Sequence, residues 1–353
     1  MTKYLLPIFI IVLAGCGSPE GPEENEITIT GEAQGTTYMV KYHGNDTNFV
    51  AEIENLLDLF DRDLSNWREG SLINRINDHQ RRDTVFSFVD STKYFSVVFD
   101  LSRDIYLKTQ GAFDPSVYPL VQAWGFGLKN KDEITPELID SLLGCVGFTE
   151  FDIDMIEQYE REYFYKETQI WKGNPKVKLD FNAIAQGYSV DLVADLLQEH
   201  EVFNYMVEIG GEVACKGLNA KGELWKIAID KPVSDEEERE FQAVLSVADK
   251  AVATSGSYRK FYVENGKKYS HTIDPHSGFP VDHNLLSATV MANSCASADA
   301  FATAFMVMGI EGTLQFLQEY PDLGLEVYLI FEDEGQLQTL TSEGLLNLIE
   351  EIP

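Results

Sequence analysis

The chain has 353 residues, 44% hydrophobic and 24% charged, with 27 Lys and Arg against 58 Asp and Glu and a net charge of −31. That length allows one large or two small domains with a substantial core, and that hydrophobic content excludes an intrinsically disordered chain. The acidity excludes a nucleic-acid binder, which needs basic surface, and otherwise reads as a solvated, soluble exterior.

The first segment, MTKYLLPIFIIVLAGC, carries one Lys, an apolar run, then small residues and Cys16. The run is short for a bilayer span and reads as a signal peptide over residues 1–15. LAGC at 13–16 resembles the bacterial lipobox. That resemblance implies cleavage before Cys16, lipidation of this Cys and attachment to a membrane, stable if several acyl chains are added and marginal with one. Residues 16–26 then read as the lipidated Cys and a flexible tether, since GSPEGPEENE has no apolar side chain apart from proline. Cleavage removes Lys3 and no acid, taking the charge from −31 to −32. The remainder, 27–353, is the folded part. Its cysteines, Cys145, Cys215 and Cys295, match no zinc spacing and leave at least one thiol unpaired, so core packing is the expectation for each.

In chain order, ITITGEAQGTTYMVKYHG alternates and predicts two strands joined near Gly35. FVAEIENLLDLFDRDLS has helical spacing and is followed by polar NWREGSLINRIND. TKYFSVVFDLSRDIYLKTQG is a second amphipathic helix closed by Gly111. From Phe151 to Leu179 the runs YFYKE and KVKLDF look strand-like, and AQGYSVDLVADLLQEH is a helix. NYMVEIGGEVACKG and ELWKIAID are β-rich with Gly turns, and DEEEREF is an acidic surface run. Then come AVATSGSYRKFYV, YSHTIDP, LLSATVMA, an apolar helix SADAFATAFMVMG and a last strand LEVYLIFED. Helices and strands mix without a regular βαβ period, which predicts α+β rather than a doubly wound sheet. There is no GxGxxG after a strand, no GxxxxGK[ST], no GxSxG and no HExxH, so the common nucleotide, serine-hydrolase and zinc-protease sites lack support.

Four stretches carry chemistry. In SADAFATAFMVMG, Ser297 as N-cap would put Asp299 in the first turn, where the helix dipole accounts for its charge. Thr303, four residues on, shares its face, and two hard oxygens there also suit Mg²⁺. In YSHTIDPHSGFP, His271 stands beside Asp274 on a loop stiffened by Pro275 and Pro280, placed either for structure or for proton transfer. GAFDPSVYPLVQAWGFG reads as a packed Ω-loop or as a wall for a flat ring. In KLDFNAIAQGYSVD, Asp180 at a strand end and the helix start beyond it make a site suited to an anionic ligand.

Together these stretches resemble the ApbE family, the FAD:protein FMN transferases. GTTY at 35–38, LSNWREGSLINRIN at 64–77, IGGEVACKG at 209–217 and ATSGSYRKF at 253–261 match the family pattern too. Each motif is weak alone, and the series runs in order from about Ile27 to about Gly309. The resemblance implies a two-lobed α+β fold with FAD in the cleft and Mg²⁺ on its pyrophosphate. It implies cleavage of that pyrophosphate, attachment of FMN by a phosphoester to a Thr or Ser of a target protein, and release of AMP. Typical targets are flavin-carrying subunits of membrane redox complexes with a short Thr/Ser acceptor motif, and many members are exported lipoproteins facing the periplasm.

Residue by residue, the resemblance makes Asp299 and Thr303 metal ligands, with the backbone carbonyl of Ala183 as a third. It makes Gln34, Trp67, Ala112, Phe113, Asp114, Asp180, Gln186 and Ile273 contacts of the flavin nucleotide, with Trp67 able to stack on the ring. His271 matches the His of the His-x-x-Asp-Pro loop and is the candidate general base. The chain departs from the family pattern at Gln186, commonly Lys, at Asn182 and Ala183, commonly two glycines, and at Gln34, where many members have Met. Two other functions share these residues: a Mg²⁺-dependent FAD pyrophosphatase giving FMN and AMP, and a non-catalytic flavin-binding lipoprotein.

Overall fold

Period-two alternation builds the centre of the protein. The computed structural model describes residues 25–80, 85–127, 131–160, 163–232, 240–257, 261–264 and 267–352. The expected signal peptide, Cys16 and the tether as far as residue 24 lie outside the described residues, as does most of the acidic run at 235–241. The elements are β1 (Ile27–Ala33), β2 (Thr36–His43), α1 (Val50–Leu64), α2 (Leu72–Asn77), β3 (Val85–Phe88), α3 (Tyr94–Lys108), α4 (Tyr118–Ala123) and α5 (Pro136–Leu143). Next come β4 (Phe151–Glu160), β5 (Tyr163–Lys172), α6 (Asn182–Glu199), β6 (Asn204–Ile209), β7 (Glu212–Lys216), β8 (Trp225–Asp230), β9 (Phe241–Val247) and β10 (Lys250–Gly256). The chain ends with β11 (Phe261–Glu264), β12 (Lys267–Ser270), β13 (Leu285–Ala292), α7 (Cys295–Glu319), β14 (Glu326–Asp333), β15 (Gln336–Thr341) and β16 (Ile349–Glu351).

Eight strands form one sheet in the order β1-β2-β6-β7-β10-β13-β14-β15, and each described pairing in it is antiparallel. Tyr38, Val40 and Tyr42 of β2 and Val207 and Ile209 of β6 point to the helical face, where they pack with Ile53 and Leu57 of α1 and Val193 and Leu197 of α6. Ala288, Val290 and Ala292 of β13 meet Phe301 and Phe305 of α7 on that same face. The intervening residues Val213, Cys215, Val252, Met291, Tyr328 and Ile330 pack instead against a small sheet, β16-β9-β8, through Trp225, Ile229, Leu245 and Val247. Both faces of the sheet are thus covered, which explains why β13 reads LLSATVMA as an almost unbroken apolar run. Helices α2 and α3 and the sheet β3-β5-β4 complete the fold, and Phe88, Phe95 and Ile170 share a core with α7. The fold is α+β, as the element pattern predicts.

Four local expectations change. Residues 176–181, KVKLDF, form no strand. Side chains replace a strand partner there: the Asn77 amide brackets Leu179, accepting its N–H at 2.7 Å and donating to its carbonyl at 2.8 Å. Helix α7 begins at Cys295 with Ser294 as N-cap, so it starts earlier than the Ser297 cap would have it. It also runs past Gly309, where φ is +69° and ψ −173°, a break that only glycine accommodates without strain. His283 Nε2 lies 2.9 Å from the Met306 carbonyl beside that break. The C-terminal strand LEVYLIFED is not the last; β15 and β16 follow it. Helix α7 is long and apolar enough to cross a membrane, yet its Ala298, Ala300, Phe301, Ala302, Ala304 and Phe305 are buried in the protein core.

Candidate active site

The first half of the site is a helix crossing. Because α7 is capped by Ser294, Asp299 lies beyond the first turn, where the helix dipole does little for it. The Asp299 side chain is only 6% exposed. Its Oδ2 accepts the backbone N–H of Gly187 in α6 at 3.1 Å. Burial pushes the carboxyl up to about 7, the Gly187 bond opposes this, and the Asp191 charge adds to it. The two helices touch closely here, since a Cβ on Gly187 would overlap the backbone carbonyl of Cys295. One turn along α6, Asp191 accepts the N–H of Cys295 at 2.7 Å and that of Ala296 at 2.9 Å. Burial pushes the Asp191 carboxyl up to about 6.

Ala183 stands four residues before Gly187, so the amide held by Asp299 is the one whose helical partner is the Ala183 carbonyl. Thr303 lies one turn beyond Asp299, with its hydroxyl 3.1 Å from Ser255 Oγ at the end of β10. The three expected metal ligands therefore converge where α6, α7 and β10 meet. A buried carboxylate whose described hydrogen bond is a single amide needs a counter-charge when ionised. One carboxylate with a hydroxyl and a carbonyl is an all-oxygen donor set that leaves positions for waters and phosphates, and it fits Mg²⁺. Among the described residues no cluster of three or more His, Cys, Asp or Glu side chains could hold a metal, so a softer, all-side-chain site has no support. Gln186, beside these residues, donates from Nε2 to the Ile209 carbonyl at 2.9 Å and to Glu212 Oε2 at 2.6 Å. Both of its amide hydrogens are thus engaged at the β6–β7 turn.

The second half is a pair of loops tied together. Asp180 donates its backbone N–H to the Pro115 carbonyl at 2.7 Å, and its Oδ1 accepts the Asn182 N–H at 2.9 Å. Trp124 Nε1–H donates to the Gly278 carbonyl at 2.8 Å, and His276 Nε2 lies 2.9 Å from the Gln110 carbonyl. Ile273 pairs with Pro280 and is buried with Leu120, Trp124 and Ile139. The Ala112-Phe113-Asp114 loop, Asp180 and the 271–280 loop are therefore one scaffold. Ala112 and Phe113 are buried, and Asp114 accepts from the Ser116 N–H at 2.7 Å and hydroxyl at 2.6 Å. Burial pushes the carboxyls of Asp114 and Asp180 up to about 6, against these bonds. Burial also works to raise Asp274, but bonds from Ser277 and His276 overcome it and hold that carboxyl below its usual value. His271 is half-buried with its ring 6.3 Å from that of Phe126.

Trp67 is 62% exposed at a cleft of about 310 Å³ that it lines with Asn66, Asn77, Tyr118 and Lys178. This cleft adjoins the extended stretch before Asp180, because Asn66 and Asn77 both donate to the Leu179 carbonyl. Asn66 Oδ1 is buried without a hydrogen-bond partner among the described residues. Gln34 occupies the β1–β2 turn at φ +55°, and its Nε2 is likewise buried without a hydrogen-bond partner among the described residues. Orphaned polar atoms of this kind are costly unless a ligand completes them. Sequence reasoning missed Asp191, Ser255, Glu212, Asn66 and Asn77. Asp191 alone left a signal, an acid one turn after Gly187 in an otherwise apolar helix stripe.

Comparison with known proteins gives the family. The ApbE family model matches residues 34–329. The FAD:protein FMN transferase of Vibrio cholerae serotype O1 is 36% identical over 309 residues, 86% of either chain. The protein of that name from Haemophilus influenzae is 32% identical over 360 residues, 99% of either chain. The solved flavin transferase ApbE from Vibrio cholerae superposes with a TM-score of 0.77 at 32% identity, covering 92% of this chain and 99% of that one. The apo flavinyl transferase ApbE of Pseudomonas stutzeri also gives 0.77, at 29% identity and coverages of 92% and 97%. With the matched residues spanning the turn of Gln34, the helix crossing and both tied loops, the chain belongs to the ApbE family.

Proposed function

We propose that this protein is a Mg²⁺-dependent FAD:protein FMN transferase, exported and anchored to the membrane through a lipidated Cys16 on the periplasmic side. The observation that carries the reading is the buried Asp299 carboxylate, which accepts the Gly187 amide one turn after Ala183 and stands one turn before the Thr303 hydroxyl. The names of relatives that span nearly the whole chain support the transferase class.

Bound there, Mg²⁺ would supply charge neutralisation and Lewis acidity at the FAD pyrophosphate. The chain's residues do the rest. Trp67 offers a face for the flavin ring, and the orphaned Gln34 and Asn66 offer polar atoms to a ligand. His271 accepts the proton of the target Thr or Ser hydroxyl at an imidazole nitrogen, a step worth roughly 10²–10⁴-fold. The hydroxyl oxygen attacks the FMN phosphorus, its new P–O bond replaces the one to AMP, and AMP leaves. The tie from Trp124 to Gly278 holds the His271 loop stiff for that transfer. The targets are flavin-carrying subunits of membrane redox complexes, and the lipobox supports an encounter at the membrane surface.

The test uses the chain from Gly17 onward with FAD, Mg²⁺ and an acceptor bearing the family's target motif. In-gel flavin fluorescence is read while AMP and FMN are quantified. A fluorescent acceptor with matching AMP is the expected result. Free FMN and AMP beside a dark acceptor would replace transfer by pyrophosphate hydrolysis. Intact FAD would replace both by binding alone.

A further inference from the structure

Among the described residues Asp191 hydrogen-bonds to none of the expected ligands, although its charge acts on Asp299, and it joins the two helices that carry them. Its two carboxylate oxygens accept the amides of Cys295 and Ala296, in the first turn of α7. Those amides have no partner within their own helix, so Asp191 serves as a cap supplied by another element. It lies four residues beyond Gly187, on the same face of α6. At Gly187 the missing side chain lets α6 rest against the Cys295 carbonyl, and the Gly187 amide reaches Asp299. Three contacts thus fix α7 on α6 within one turn of each helix. Among the described residues the other cap of α7, Ser294, hydrogen-bonds only within its own helix, at Ser297.

We propose that Asp191 is a positioning residue: by gripping the first turn of α7 it sets the register of that helix on α6, and so where the Asp299 carboxylate stands relative to the Ala183 carbonyl. The claim about metal affinity rests on the Mg²⁺ reading given above, while the register claim stands on the contacts themselves. Loss of the grip leaves Asp299 its side chain and α7 its Ser294 cap, but lets the helix start shift against α6. The ligands are then present but misplaced, which weakens a metal more than it weakens the fold. Partners that orient metal ligands from behind are typically worth roughly 10- to 100-fold in affinity.

The experiment compares Asp191→Ala, Asp191→Asn and Ser294→Ala in the chain from Gly17 onward, using Mn²⁺ as probe. Free Mn²⁺ is read by electron paramagnetic resonance in the presence of FAD without acceptor. Amide hydrogen exchange is read at Gly187, with thermal unfolding in parallel. Asp191→Ala should weaken Mn²⁺ by roughly tenfold or more and lose protection at Gly187. Asp191→Asn keeps one acceptor oxygen and should show a smaller shift in the same direction. It also decides the matter if the Ala variant does not fold. Ser294→Ala should lower the melting temperature with Mn²⁺ affinity and Gly187 protection kept. Equal weakening of Mn²⁺ by Asp191→Ala and Ser294→Ala would overturn the proposal, since Asp191 would then be one cap among two. So would a melting shift in Asp191→Ala with Mn²⁺ and Gly187 unchanged. If the unsubstituted protein binds no Mn²⁺, the metal reading falls, and protection at Gly187 alone decides the register claim.

Discussion

Where α6 crosses α7, each carboxylate is held by an amide far away in sequence: Asp299 by Gly187, 112 residues apart, and Asp191 by Cys295, 104 apart. In the tied loops each carboxylate is held by backbone close at hand. Asp114 binds Ser116, Asp180 binds Asn182, and Asp274 binds His276, each two residues on. Turns of the second kind orient their side chains without help from the rest of the domain. The crossing exists only once two helices have packed. Loss of a holding contact at the crossing should therefore move the chemistry, whereas loss of a holding contact in the loops should move stability first.

The largest effect belongs to Asp299→Ala. Transfer of flavin to the acceptor should fall by roughly 10³-fold, the scale of removing a group that stabilises transition-state charge. Rates from in-gel fluorescence at several Mg²⁺ concentrations check it. Activity within tenfold of the unsubstituted protein, with the same Mg²⁺ dependence, would dissolve the distinction between the two regions.

The same contrast explains what the sequence could and could not reveal. The tight loop around Asp274 was legible from Pro275 and Pro280, whereas Asp180 read as a strand end and Asp114 as part of a packed loop or ring wall, and the Asx turns that hold them were not foreseen. Asp299 and Thr303 were legible as a pair because helical spacing puts them on one face. The grip of Asp191 on Cys295 was not, because no local pattern says which helix start an acid in α6 will meet. The KVKLDF segment misled for a related reason. Its alternation is that of a strand, but the partner supplied by the fold is the side chain of Asn77 rather than a neighbouring strand. Ser297 misled as a cap because Ser294 stands three residues earlier with equal chemistry, and only the end of β13 decides between them.

Gly187→Ala sharpens the comparison from the backbone side. The new methyl would meet the Cys295 carbonyl, which cannot swing away as a side chain could. Overpacking of this kind costs about 1–3 kcal/mol. Transfer should fall more than tenfold even well below the melting temperature, because the helices must separate at Asp299. Thermal unfolding and the flavin gel together check it. A melting shift with full activity would mean that the crossing tolerates a change of spacing.

Asp114 tests the loops through pH. Its carboxyl stands at about 6 in the folded protein against a usual 3.8, raised chiefly by burial. The folded state therefore holds this proton more tightly than the unfolded chain. The group costs nothing below about pH 4 and destabilises progressively as pH rises through 6, by roughly 2–3 kcal/mol in full. Asp114→Asn keeps an oxygen to accept from Ser116 and removes the charge. The variant should unfold at a higher temperature than the unsubstituted protein at pH 8 and gain nothing at pH 4. A gain of the same size at both values would show that the buried charge is not the cause.

The smallest effect is expected at His276, and it is the sharpest check on whether the loops stand by themselves. The imidazole reaches the Gln110 carbonyl and Asp274 Oδ1, so it looks like the pin between the two loops. It is exposed, however, and water can replace it at both partners. Asp274 keeps the backbone amides of His276 and Ser277, and the loops keep the buried bond from Trp124 to Gly278. His276→Ala should then cost only about 0.5–1.5 kcal/mol, the net worth of an ordinary hydrogen bond. Transfer should remain within about twofold, because the buried tie and the packing of Ile273 still place the His271 loop. Thermal unfolding and initial rates of flavin transfer read the two quantities separately. A tenfold loss of rate with little loss of stability would show that the loop pair, like the helix crossing, depends on one long-range contact for the position of its chemistry.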